Sequence, residues 1–269
     1  VANIAMESAS TALSALSTRL DVIANNLANV NTTAFKSSRA NFQDLIYVDR
    51  AQPGTENTNG DQRPIGLQVG LGVKVSGTHL DFTQGSAMIT NRPLDVLIDG
   101  RGFFQVQVGT DVSQDGIAYT RDGALTVNAD GELVMANDTG RRIEPGITID
   151  EDVEPSSISI GSDGRVFGRV GGVQTELGQL EIATFINSAG LKQIGENLYV
   201  ETEASGPANS GEPETDGRGR VVQGALESSN VDPAKELVDL IRTQRAFEMN
   251  SQTIRAADEA LQTVSQLRR

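Results

Sequence analysis

Near the start of the chain the apolar residues Ala9, Leu13, Leu16, Leu20, Ile23, Leu27, Val30 and Ala34 step by alternating fours and threes. That rhythm holds one narrow stripe on one side of a helix, and it predicts a helix from residue 3 to about residue 34. At the other end Leu240, Phe247, Ile254 and Leu261 recur at heptad spacing, reinforced by Leu237, Ile241, Ala257 and Val264. Asp232 is the predicted N-cap of this second helix, with Pro233 at its first helical position and Arg268 and Arg269 beyond Leu267 at the negative end of the dipole. A helix of about 30 residues is roughly 45 Å long, so the two have similar reach. Neither stripe is buried by its own helix. Each must pack on the other, on neighbouring subunits, or on both.

Between the helices the period changes. Asn25, Asn26, Asn29 and Asn31 crowd the end of the first helix, where their amides either hydrogen-bond between helices or mark fraying of the last turns. Residues 48–66 carry Pro53, Gly54, Asn57, Asn59, Gly60, Pro64 and Gly66 and no periodicity, which reads as either a mobile loop or a segment ordered only by neighbours. Residues 67–200 are short apolar runs broken by turn signals, the pattern of antiparallel β structure. Asp99-Gly100, Asp122-Gly123, Asp130-Gly131 and Asp163-Gly164 each offer the positive φ of a tight hairpin, the first turning Leu94–Ile98 into Phe103–Val108. The expected class is therefore α+β. Residues 1–34 and 225–269 pair as one coiled-coil-like helical domain, 35–93 form an extended linker and loop region, 94–200 an inserted antiparallel β domain, and 201–224 a return linker.

Charge sharpens this division. The net charge is −14, yet residues 1–34 hold only Glu7, Asp21 and Arg19, and residues 232–269 balance six acids with six bases. Nearly neutral ends suit close packing of many copies, while an acidic middle keeps free chains soluble. Without a run of Lys or Arg, neither nucleic acid nor an anionic membrane surface is an expected partner. No apolar run is long enough to span a bilayer. A basic stretch followed by a short apolar core and a cleavage site is not visible at the start, so if the protein is exported another route must read it.

Candidate chemistry is thin. The chain has no cysteine, and His79 is its single histidine, which excludes thiolate sites and multi-imidazole metal centres. Asp95 and Asp99 form a conceivable glycosidase pair, but Asp99 belongs to an Asp-Gly turn. The Asp-Gly turns lack the ligand ladder of a calcium loop, and Gly100-Arg101-Gly102 lacks the third glycine of a phosphate cradle. No catalytic residue, metal or cofactor is expected. The rival class is a secreted β-domain enzyme or adhesin whose end helices form a monomeric coiled coil.

Several stretches together resemble the rod and hook axial proteins of the bacterial flagellum. They are Asp21 to Lys36, Arg92-Pro93-Leu94-Asp95-Val96 leading to Gly100-Arg101-Gly102-Phe103-Phe104, Tyr119-Thr120-Arg121-Asp122-Gly123, Ile194 to Tyr199, Leu226 to Asp232, and Gln244 to Asn250. They fall in order along almost the whole chain. The length of the middle and the irregular 48–66 segment resemble a distal rod member, with proximal rod and hook members as alternatives. The resemblance implies an open helical polymer of identical subunits that transmits torque and encloses an export channel. Its implied location is the periplasmic rod of the basal body, reached by type III export. The implied neighbours are proximal rod proteins, hook protein, and the L-ring and P-ring proteins acting as a bushing. Subunit packing is then assigned to Leu13, Leu16, Leu20, Ile23, Asn26, Leu27, Val30 and Phe35, and to Leu237, Leu240, Ile241, Phe247, Ile254, Leu261 and Val264. Pro53, Gly54, Asn59 and Pro64 mark an intersubunit loop.

Overall fold

The computed structural model describes residues 2–54, 64–110, 112–113, 115–150, 152–154 and 157–267. It is α+β, with a helix at each end of the chain and antiparallel strands between. The chain divides into two compact units: residues 1–28, 38–80 and 232–269, and residues 29–37 and 81–231.

The first unit holds helix α1 (Ala2–Ala28), strands β1 (Ser38–Asp44), β2 (Tyr47–Ala51), β3 (Leu67–Gly70) and β4 (Val73–Leu80), and helix α2 (Pro233–Leu267). Helix α1 is free of Gly and Pro and rich in Ala, Leu and Ser, so nothing interrupts its backbone ladder. It packs against α2 on one side and against β1 and β4 on another. Asp232 caps α2 as expected: its Oδ1 accepts from the amides of Ala234 at 3.0 Å and Lys235 at 3.2 Å.

Helix α1 ends at Ala28, six residues short of the expected end. The Asn-rich sequence turns there, with the Thr32 amide donating to the Asn29 carbonyl and Ala34 at φ +56°. Residues 29–37 belong to the second unit. Within residues 35–93, read as linker, the structure places paired strands: β1 with β4 through a bulge at Asn41/Phe42, and β2 with β3. β3 and β4 fall within the 67–200 run read as β structure; β1 and β2 escape notice because most of their side chains are exposed, which leaves little apolar alternation.

The second unit continues with β5 (Ala87–Ile89), β6 (Val96–Asp99), β7 (Phe103–Gln107), β8 (Ile117–Thr120), β9 (Leu125–Val127), β10 (Leu133–Met135) and β11 (Ile143–Glu144). After these come β12 (Ser159–Ile160), β13 (Arg165–Val170), β14 (Val173–Gln179) and β15 (Ile182–Thr184). The last are β16 (Lys192–Gly195), β17 (Leu198–Val200), β18 (Asn209–Gly211), β19 (Arg220–Gln223) and β20 (Ala225–Glu227). The main sheet runs β16-β17-β8-β7-β15-β18, with β11 also paired to β7. Smaller pairings are β12-β13-β14, β9-β10, β6-β19 and β5-β20. Val96, Ile98, Phe104, Val106, Leu125, Met135, Ile147, Leu180 and Ile182 form its apolar core.

Two expected hairpins are present. β9 and β10 flank Asp130-Gly131, and β12 and β13 flank Asp163-Gly164, with both glycines at positive φ. The other two are not hairpins. At Asp99-Gly100 the chain turns, but β6 leaves β7 and pairs with β19, while β7 pairs with β8, β11 and β15. Gly123 lies against the Val96 carbonyl, where a Cβ would collide, and its role is close approach rather than turn φ.

Candidate assembly site

In the first unit α1 contributes Ile23, buried, and Leu13, Leu16, Leu20 and Leu27, half-buried. Asn26 is 1% exposed. Its amide donates to the Ser38 carbonyl at 2.8 Å and to Glu236 Oε1 of α2 at 3.4 Å, and its Oδ1 accepts from the Ser38 amide at 3.0 Å. An interhelical role for this amide was legible from its position beside the stripe. Burial pushes the Glu236 carboxyl up from the usual glutamate range, against the lowering effect of the Asn26 bond.

On α2 the shielded row is Glu236, Leu240, Thr243, Ala246, Asn250, Ile254 and Ala257. Leu240 and Ile254 match the expected heptad, whereas Phe247 and Leu261 sit at its margin, 36% and 37% exposed. A strict heptad drifts by about 20° per repeat on a straight helix, which carries successive members out of one seam. Leu237, Val238, Ile241 and Met249 are exposed, Leu237 by half. Ile46, Tyr47 and Val48 at β2 and Ile65 and Leu67 at β3 are also exposed. Pro53, Gly54 and Pro64 are exposed beside them; Asn59 and the side chain of Val264 lie outside the described residues.

Val30 and Phe35 are in the second unit, Phe35 buried there and Val30 half-buried, because α1 stops before them. Next to Phe35 lies a feature that composition did not reveal. Lys36 from the stretch after α1, Arg121 after β8 and Glu227 at the end of β20 meet with side chains 0–4% exposed. Glu227 Oε1 accepts from Lys36 Nζ at 2.6 Å and from the Gly85 amide at 2.7 Å, and Oε2 accepts from Arg121 Nε at 2.7 Å. The remaining donors are satisfied by carbonyls. Lys36 Nζ donates to Thr83 at 2.7 Å, and Arg121 donates to Gly102, Ile98 and Gly100 at 2.9–3.2 Å.

Burial alone would raise the Glu227 carboxyl, but the Arg121 and Lys36 charges and their bonds hold it below the usual range. Burial, helped by the Arg121 charge, lowers the Lys36 ammonium, with Glu227 opposing. Two cations on one carboxylate leave a buried excess of one positive charge. Phe82, Phe103, Phe185, Tyr119 and Tyr199 pack in edge-to-face pairs, and this aromatic group meets the cluster at Arg121, 6.0 Å from the Phe103 ring centre. Burial pushes both tyrosine phenols up to about 12. Each charge comes from one of the stretches that carried the resemblance. The available signal was a lone charge directly after an apolar pair, as in Ala34-Phe35-Lys36 and Ala225-Leu226-Glu227.

Asp99 pairs with Arg220 at 2.8 Å. Asp95 is buried, 3.4 Å from an Arg92 nitrogen. Among the described residues no three His, Cys, Asp or Glu side chains gather as a metal site, and no helix is long and apolar enough to cross a membrane.

Three family descriptions match the chain in order. "Flagella basal body rod protein" covers residues 6–36, "Flagellar hook protein FlgE/F/G D1 domain" residues 97–168, and "Flagellar basal body rod FlgEFG protein C-terminal" residues 222–267. The flagellar basal-body rod protein FlgG of Borreliella burgdorferi is 42% identical over 98% of this chain and 98% of its own length. That of Buchnera aphidicola subsp. Schizaphis graminum is 45% identical over 96% of each chain, and that of Bacillus subtilis 39% identical over 94% of each.

Proposed function

Because this chain belongs to the FlgG family of flagellar basal-body rod proteins, we propose that it is a non-enzymatic structural subunit of the distal rod, polymerising into an open helical shaft. One observation carries the assembly reading: after α1 has packed on α2, Leu237, Val238, Ile241 and Met249 still face solvent. Covering each such side chain contributes up to about 1.5–3 kcal/mol, a strong drive for a second helix to dock. The unit that carries them has 12 acids and 11 bases, so copies approach without strong repulsion. In this reading α1 and α2 form a coiled-coil-like layer around the export channel, as residues 1–34 and 225–269 were assigned. The stretch 35–93 reaches adjacent subunits, and 94–200 is the β domain.

A contact between two different faces of one chain propagates as an open helix when the rotation between copies does not close a ring, which is the geometry a shaft needs. The exposed Ile46, Tyr47, Val48, Ile65 and Leu67 support a wedge role for the β2–β3 hairpin between neighbours. Proximal rod proteins, hook protein and the L-ring and P-ring proteins are the proposed neighbours, in the periplasmic part of the basal body, after type III export. Sedimentation and electron microscopy of the purified chain test the reading. Concentration-dependent long polymers are expected, and a monomer that persists at every concentration overturns it.

A further inference from the structure

Beyond its entry from α1, the backbone crosses the edge of the second unit at three places: it leaves after Ser37, returns before Asp81 and leaves again after Val231. In that unit the three connecting segments lie side by side, tied by one side chain. Asn230 Oδ1 accepts from the Ser37 amide at 2.7 Å. Its Nδ2 donates to the Asp81 carbonyl at 2.7 Å and to the Thr83 carbonyl and hydroxyl at 3.2 and 3.3 Å. The Asn230 amide donates to Phe35 O at 3.3 Å, and the Asp81 amide to Ser37 O at 2.9 Å. Behind this tie, Ala34 N donates to Glu227 O at 2.8 Å and Ser228 N to Ser86 O at 2.9 Å, so the same three segments are bound again one layer deeper.

We propose that Asn230 is a strap that gathers the three connecting segments, so that force arriving along any one of them enters the β sheet through all three. The chemistry requires an amide of this length. A carboxylate accepts but does not donate, a hydroxyl is too short to reach both neighbours, and the strap must accept from Ser37 while donating toward Asp81 and Thr83. Hydrogen bonds carry load best when several must break together, and here the segments share both the strap and the Glu227 bracket behind it. The mechanical meaning of the strap rests on the shaft reading above; its existence as a joint does not.

Hydrogen exchange on the soluble full-length chain tests the joint without any polymer. In Asn230→Ala the Ser37 and Asp81 amides are expected to exchange about tenfold faster, the size of one lost hydrogen bond, while β7 and β8 amides stay within about twofold. Asn230→Gln keeps the chemistry but misplaces it by one methylene, and the same local opening is expected. Unchanged exchange at Ser37 overturns the strap. Opening of β7 and β8 together with Ser37 in both variants also overturns it, since Asn230 would then be a general stability residue. If the soluble chain opens locally while polymers of Asn230→Ala resist twist as wild type does, the joint stands and its mechanical role falls. If wild-type chains form no polymer, the shaft reading alone fails.

Discussion

At the scale of single residues, the buried trio of Lys36, Arg121 and Glu227 makes unequal demands on its members. Removing the carboxylate leaves two cations facing each other out of water, whereas removing Lys36 leaves a neutral Arg121–Glu227 pair with its bonds intact. Glu227→Gln is therefore expected to cost about 3–5 kcal/mol in urea unfolding, and Lys36→Met distinctly less. The pH response differs by group. Glu227 has a folded pKa below its unfolded value of 4.5, so its contribution is complete above that value and disappears as pH falls through the folded one. Lys36 is also lowered, from 10.5, so below 10.5 the unfolded chain holds the proton more tightly and stability rises with pH across the window between the two values. Lys36→Met should abolish that alkaline rise in thermal melts and reduce the acid limb without removing it, because Arg121 still holds Glu227 low. Motif residues such as these were visible as strings in the sequence, but their common destination was not. Lys36 and Glu227 are 191 positions apart, and no local pattern pairs them.

At the scale of elements, the two helices were the most legible parts because their periodicity repeats over many turns. The start of α2 was readable to the residue, since Asp232 acts through bonds to the amides two and three residues on and Pro233 through its fixed φ. Asp232→Ala should lower helix stability by about 1 kcal/mol, measured as earlier unfolding of the helical signal. Its solvent-facing apolar side gives a separate expectation. Leu237→Ser with Ile241→Ser is expected to abolish polymers in sedimentation while leaving the near-ultraviolet signal of the β unit unchanged, because these side chains are exposed in the single chain. The end of α1 was harder: the apolar step continues to Ala34, but the backbone turns at Asn29 because the following residues are needed elsewhere. Hairpin turns divided in the same way, Asp130-Gly131 and Asp163-Gly164 joining sequence neighbours while β6 crosses to β19.

At the scale of the whole molecule, charge is concentrated in one part of the chain. Residues 29–37 and 81–231 carry 24 acids and 11 bases, while the remaining residues are close to balanced. In the proposed shaft, neighbouring copies of the acidic unit repel, so raising salt should lower the concentration at which polymers appear, and an absent salt response would remove repulsion from the account. Deleting residues 48–66 should reduce the bending stiffness of assembled polymers without preventing their formation. The sequence by itself determined the α+β class, the presence of a helix at each end, the cap of α2, two tight hairpins and the placing of charge. All of these follow from short-range periodicity, turn stereochemistry or simple counting. Only the tertiary structure decided where α1 stops, which strand β6 joins, and that Lys36, Arg121, Glu227 and Asn230 become neighbours. Several strands are almost equally apolar, so the choice of partner is a competition among distant surfaces, and burial of a charge is repaid only once its distant counter-charges arrive.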